Sequence, residues 1–190
     1  MPTRENTRRS PPDESSGTTQ PPERKSRDVT LRVYQPRDIP RMTDLIMSAI
    51  PQIPNYAMIT PNRERIRYVL THNIDNAAAF CGWVLCDSND NVQGGGAGWC
   101  VQNLMSLDMV ADDVFMWVEP AYRSYFAASI LVHTYFEWAK QRGAKIIRAS
   151  HTGGSWPKGT REWKLYDALL KRLGFEEVGS VYHYNAYKER

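Results

Sequence analysis

The spacing of apolar residues changes period several times along the chain after Val29, and each change marks an element. Val29 to Tyr34 (VTLRVY) alternates apolar and polar positions, which predicts a strand. In the following stretch Ile39, Met42, Leu45, Ile46 and Ala49 recur at helical spacing, with Asp38 placed to cap the helix and Pro40 in its first turn. Thr60-Pro61 opens a second predicted helix that runs to about Thr71. Residues 77 to 86 (AAAFCGWVLC) and 95 to 102 (GGAGWCVQ) read as a strand pair joined across the polar turn DSNDN. Val114 to Val118 is short and almost wholly apolar, as a central strand is. A long helix is predicted over 124 to 142, stopped by Gly143. KIIRAS (145 to 150) is the next strand, and Thr160 to Leu173 is a helix stopped by Gly174. The chain closes on the strand-like EEVGSVYHYNAY. The order β-α-α-β-β-β-α-β-α-β predicts a mixed α/β sheet in which a meander feeds a β-α-β crossover. It contains no internal repeat.

Residues 1 to 28 break with this pattern. After Met1 they hold no aromatic or aliphatic side chain, only Pro-Pro pairs, Ser/Thr runs and mixed charge. Such a segment has nothing to bury and is predicted to be a disordered arm, available to a protein partner. The remaining length suits one domain. The formal net charge of +3 is too small to indicate nucleic acid, and Asp13, Glu14 and Glu23 nearly balance the basic residues of the arm. Cys81, Cys86 and Cys100 lack the paired spacing of a zinc site, so no metal is expected and reduced thiols in a cytoplasm are. No apolar run is long enough to span a bilayer.

The stretch VEPAYRSYFAASIL, 118 to 131, raises a chemical question. Pro120 ends the strand, Arg123 stands at the turn, and Ser124, Ala127 and Ala128 keep the helix entry small. A helix N-terminus presents unpaired amides and the positive end of a dipole, so this layout suits a pyrophosphate. The bland alternative is a solvated arginine followed by helix-filling alanines.

The segment and the order of elements together resemble the GNAT acetyltransferase superfamily, whose central motif runs V-x-P-x-x-R-G-x-G-x-G/A into a helix. Val118, Pro120, Arg123 and Ala128 match it, and Leu173-Gly174-Phe175 matches the family's closing L-G-F. The resemblance covers roughly residues 29 to 187. It implies a GNAT fold, acetyl-CoA as cosubstrate and an amine acceptor attacking the thioester directly. It implies pyrophosphate against the amides of Ser124, Tyr125, Phe126, Ala127 and Ala128, with Arg123 beside it. Pantetheine would follow the backbone of the 114 to 118 strand, at Met116 and Val118, where this strand splays from 145 to 150. Two positions depart from the pattern. Ser124 and Phe126 replace the first two motif glycines, and Leu170 stands where the family often has a tyrosine acid. If Phe126 turns into the core, helical backbone there needs no glycine and its amide stays available. The glycine-poor turn is similar to that of some phage-encoded relatives, which would place the protein in a host cytoplasm or a virion.

An amine must lose a proton to attack, so a base is sought near the thioester. Asp112 and Asp113 precede the predicted central strand, and some relatives carry a catalytic carboxylate at the position of Asp112; paired aspartates at a strand start are otherwise solvated turn residues. His151 ends the next strand and is a candidate base because histidine's ordinary pKa is near neutrality, although a histidine beside glycines is often plain surface. Tyr166, one turn before Leu170, can protonate the departing thiolate or simply pack. The loop 151 to 160, with Trp156 among glycines, suits a substrate lid or an inert insertion. Gly94-Gly95-Gly96 lacks a following Lys-Ser/Thr and indicates a strand bulge, not a phosphate loop. Tyr182, Tyr184 and Tyr187 alternate along the last strand, facing either the acceptor or the core. A non-catalytic alternative keeps the fold as an assembly module anchored by its arm.

Overall fold

A computed structural model describes residues 29–53, 56, 59–150 and 158–178. Five strands, β1 (Thr30–Val33), β2 (Phe80–Cys86), β3 (Val92–Gln102), β4 (Met109–Val118) and β5 (Ala144–Arg148), form one sheet in the order of the chain. The first three pairings are antiparallel and the last, β4 with β5, is parallel. Helices α1 (Ile39–Ala49) and α2 (Arg63–Asp75) separate β1 from β2; α3 (Tyr125–Gln141) makes the crossover to β5, and α4 (Arg161–Arg172) follows.

Strand alternation divides the core between the two faces of the sheet. Tyr34, Val84, Cys86 and Trp117 pack against Met42, Leu45 and Leu70 of α1 and α2. Trp83, Leu85, Cys100 and Ala111 pack against Ala127, Leu131, Tyr135 and Ala139 of α3. Because β2 and β3 are covered on both faces, they contain few polar residues. A third cluster ties α4 to α3 through Val132, Leu169 and Leu170.

Among the described residues the four helices and five strands follow the predicted order, with four corrections. Asp38 makes no side-chain bond to α1; its carboxylate accepts from the Gln35 amide at 2.7 Å and from both terminal nitrogens of Arg32, at 2.7 and 2.9 Å, which pins the turn before the helix to β1. Asn62 starts α2, its side chain accepting from the Arg65 amide, and the helix extends to Asp75. The central strand is twice its predicted length, so Asp112 and Asp113 lie inside β4 and not ahead of it. Two charged side chains mask the strand pattern, yet each finds a partner on its own face. At the glycine run the register shift falls between Leu85 and Cys86, opposite Gly94 and Val92, so the bulge lies beside the run. The arm, the loop at 151–157 and the last strand lie outside the described residues.

Candidate active site

The pairing of β4 with β5 runs from Met109↔Ala144 to Asp112↔Arg148 and stops there. Beyond that point residues 113–118 have no strand partner on this side among the described residues. The cause is a bulge: Ala97 faces Phe115 and Gly98 faces Asp113, so Val114 is an extra residue that bends β4. Gly98 permits the bend, because a Cβ there would stand 2.8 Å from the Tyr135 ring of α3. The opened edge offers backbone N–H and C=O groups that need partners. Met116 and Val118, both named from sequence, direct their side chains to the α3 core, so their contribution to the opening is backbone.

The edge leads directly to the N-terminus of α3. A single helical turn, Pro120–Tyr122, follows β4, and Arg123 folds back beneath it. Its Nε donates to the Val118 carbonyl at 2.8 Å, and its guanidinium lies 4.3 Å from the centre of the Trp117 ring. Its second terminal nitrogen, Nη2, is buried and meets no acceptor. Burial lowers the Arg123 pKa, partly opposed by Glu119. Ser124 caps α3, its hydroxyl accepting from the Ala127 amide at 3.1 Å. Ala127 is small because it is fully buried against the sheet, and Ala128 packs toward α4. Phe126 does not turn into the core; it is 52% exposed. Its backbone is nonetheless helical, with no positive φ, so glycine is not required. The amides of Tyr125 and Phe126 precede the first intrahelical acceptors and remain free for an anion. An unpartnered buried cationic donor, free first-turn amides and the helix dipole fit a pyrophosphate.

At the bulge, strand alternation sends the paired aspartates to opposite faces. Asp112 lies on the α1/α2 face, where it accepts from the Trp99 indole at 3.0 Å and from the Arg148 guanidinium on both oxygens. Asp113 lies on the α3 face, accepting from the Ser150 amide and hydroxyl, each at 2.7 Å. Desolvation raises its pKa, against the lowering effect of the Ser150 bonds. Tyr166 of α4 feels the Asp113 charge, and its phenol is pushed up mainly by burial and further by that carboxylate. Tyr135 shows the same shift and donates to the Arg148 carbonyl at 2.7 Å, fixing the end of β5. Leu170, at the position of the expected tyrosine, is core.

The Asp113 shift carries a prediction about stability. A carboxyl whose folded pKa is raised stabilises the fold in its protonated form; that contribution is full below the unfolded value of about 3.9 and is lost as pH rises through the folded one. Asp113→Asn retains an acceptor for both Ser150 bonds and removes the charge. We expect its Tm at pH 7 to exceed the wild type's by ~2–4 °C, the shift that accompanies about 1 kcal/mol in a chain of this size. The two melting curves should converge near pH 4.

Met116, Val118 and the Arg123–Ala128 turn lie along the open stretch of β4 and its run into α3, whereas Asp112 stands at the last β4–β5 pair and Tyr166 lies on the other face, within electrostatic reach of Asp113. His151, Trp156, Tyr182, Tyr184 and Tyr187 lie outside the described residues. Sequence reasoning missed Trp99, Tyr135 and Arg148, and no local signal marks them, since each acts through a partner on another element.

No family model matches the sequence, and no curated protein matches it. Solved structures match the fold. An acetyltransferase of Trypanosoma brucei superposes with a TM-score of 0.60 at 14% identity, over 83% of this chain and 99% of that one. The chain has the GNAT acetyltransferase fold. A predicted acetyltransferase from Clostridium acetobutylicum, solved with acetyl-CoA, gives 0.61 at 15% identity, over 85% of this chain and 98% of that one. An aminoglycoside acetyltransferase from an uncultured soil metagenomic sample, solved with sisomicin, gives 0.58 at 16% identity, over 83% and 95%. At these identities the likeness is one of GNAT fold alone. Among the described residues no group of three or more His, Cys, Asp or Glu is placed to hold a metal, and no helix is long and apolar enough to cross a membrane.

Proposed function

We propose that the protein is an N-acetyltransferase that moves an acetyl group from acetyl-CoA to an amine. The observation that carries this reading is the open edge of β4: residues 113–118 lose their partner strand at Arg148 and run straight into the free amides of α3. The acetyl-CoA bound by the Clostridium neighbour supports that acyl donor here, and the sisomicin bound by the soil acetyltransferase supports an amine as the acceptor.

Acetyl-CoA supplies the activated acyl group. The backbone of 113–118 pairs with its amide-bearing arm, and the turn at 123–128 holds its diphosphate. Arg123 acts chiefly from beneath, holding the turn through Val118 while adding positive charge. The neutral amine attacks the thioester carbonyl carbon; a C–N bond forms and the C–S bond breaks. Asp112, on the α1/α2 face, takes the proton the nitrogen loses. Tyr166, on the opposite face and held protonated by its raised pKa, gives its proton to the departing sulfur. Solvent returns a proton from Asp112 to Tyr166, so the enzyme ends each turnover unchanged.

Titration calorimetry tests the reading. The wild type is expected to bind acetyl-CoA at micromolar Kd. Arg123→Ala is expected to weaken binding about tenfold, the equivalent of one hydrogen bond to a charged group. Absence of wild-type binding would overturn the proposal.

A further inference from the structure

On the α1/α2 face a cavity of about 280 Å³ opens beside the bulge. Val69 and Asn73 of α2, Phe80 of β2, Trp99 of β3, and Asp113 and Val114 of β4 line it. Asp113 sends its carboxylate to the opposite face, toward Ser150, which leaves the walls mostly apolar. A ladder of rings runs into this wall. Tyr68 stacks on His72 with centroids 5.8 Å apart, His72 meets Phe80 at 6.2 Å, and Phe80 meets Trp99 at 6.2 Å. The Trp99 indole in turn donates to Asp112, so the aromatic wall and the carboxylate meet at one side chain. Asn73 is 3% exposed, and its amide nitrogen lies near the Tyr34 hydroxyl, yet no acceptor meets it in hydrogen-bonding geometry.

We propose that this cavity is the acceptor pocket and that it takes an aryl-alkyl amine, a single aromatic ring carrying a primary amine on a short chain. The inference rests on the acetyl-transfer reading and adds the substrate class. Three observations select it. The volume lies just below the roughly 300–1,000 Å³ that ligand pockets span, enough for one ring. A sugar or polyamine would lose its water to Val69, Phe80 and Val114 without gaining hydrogen bonds, whereas an aryl ring gains apolar burial and stacking against Phe80 and Trp99. The cavity also touches Val114, where the β4 edge opens, so a short chain carries the amine from the ring to the thioester side of the bulge.

Calorimetry on the full chain, with and without saturating coenzyme A, tests this by heat of binding and not by turnover. Tyramine is expected to bind at least tenfold more tightly than spermidine. Val69→Phe fills the cavity from α2 and should weaken tyramine at least tenfold, with acetyl-CoA affinity and circular dichroism unchanged. Should that variant fail to fold, Val69→Lys puts an ammonium at the same half-buried position of the wall and should produce the same loss. Equal affinity for spermidine, or undiminished tyramine binding by a folded variant, would overturn the inference while acetyl-CoA binding stood. Tyramine binding without acetyl-CoA binding would instead leave the pocket in place and remove the acetyl-transfer reading.

Discussion

Tyr166→Phe is expected to lower kcat about 100-fold and to leave acetyl-CoA affinity within twofold of the wild type. The magnitude is the low end of what a positioned general acid contributes, about 10²–10⁴-fold. The substitution keeps the ring and therefore the packing of α4, where Leu169 and Leu170 are already buried against Val132. What it removes is a phenol whose proton is held by burial and by the neighbouring Asp113 charge. The direction of that shift sets the pH dependence. An acid works in its protonated form, and a pKa raised above the ordinary value of about 10 keeps it so throughout the neutral range. Tyr166 therefore imposes no alkaline limb on activity below about pH 10. Steady-state kinetics with calorimetric affinities separates the effects. A kcat within threefold of the wild type would sink the acid assignment, whereas weakened acetyl-CoA binding would mean that Tyr166 shapes the pocket instead.

Gly95→Ala is expected to cost about 3 kcal/mol of stability, at the upper end for overpacking a core, and to lower Tm by ~6–12 °C. Gly95 sits in β3 between Val84 and Trp117, facing α1. A Cβ there would run into the Trp83 carbonyl and stand 2.9 Å from the Met42 methyl. Methionine can move, but a backbone carbonyl inside a central strand cannot. Gly143 provides the contrast. Its φ of +73° favours glycine, yet nothing lies within 4 Å, so Gly143→Asn should cost less than half as much. Thermal melts of the two variants measure the difference. A Gly95→Ala protein that melts with the wild type would show that α1 does not lie on β3 as described.

The same contact explains why Gly94-Gly95-Gly96 invites misreading. A glycine run is shared by phosphate loops, bulges and close packing, and only the neighbours distinguish them. Here Trp83, Met42, Met116 and Trp117 crowd all three positions, so small size is what the run supplies.

Much of the architecture is legible along the chain because its causes are local. The glycine stops at 143 and 174 and the spacing of apolar residues place α3 and α4 to within a residue of their observed ends. The strand-to-helix turn was visible for the same reason, since Pro120, Arg123 and Ser124 act within a few positions of one another. The opening at the centre of the site was not. Val114 becomes a bulge only through the pairing of β4 with β3, and Asp112 and Asp113 separate to opposite faces only once that register is set. Arg148 reaches Asp112 because β5 returns parallel to β4 across the whole of α3. Phe126 faces solvent because Ala127 takes the buried position against the sheet. The sequence alone determined the order of the described elements and the ends of α3 and α4, through periodicity and backbone restriction. Tertiary structure decided which groups meet, because strand register and helix docking depend on residues far apart in the chain.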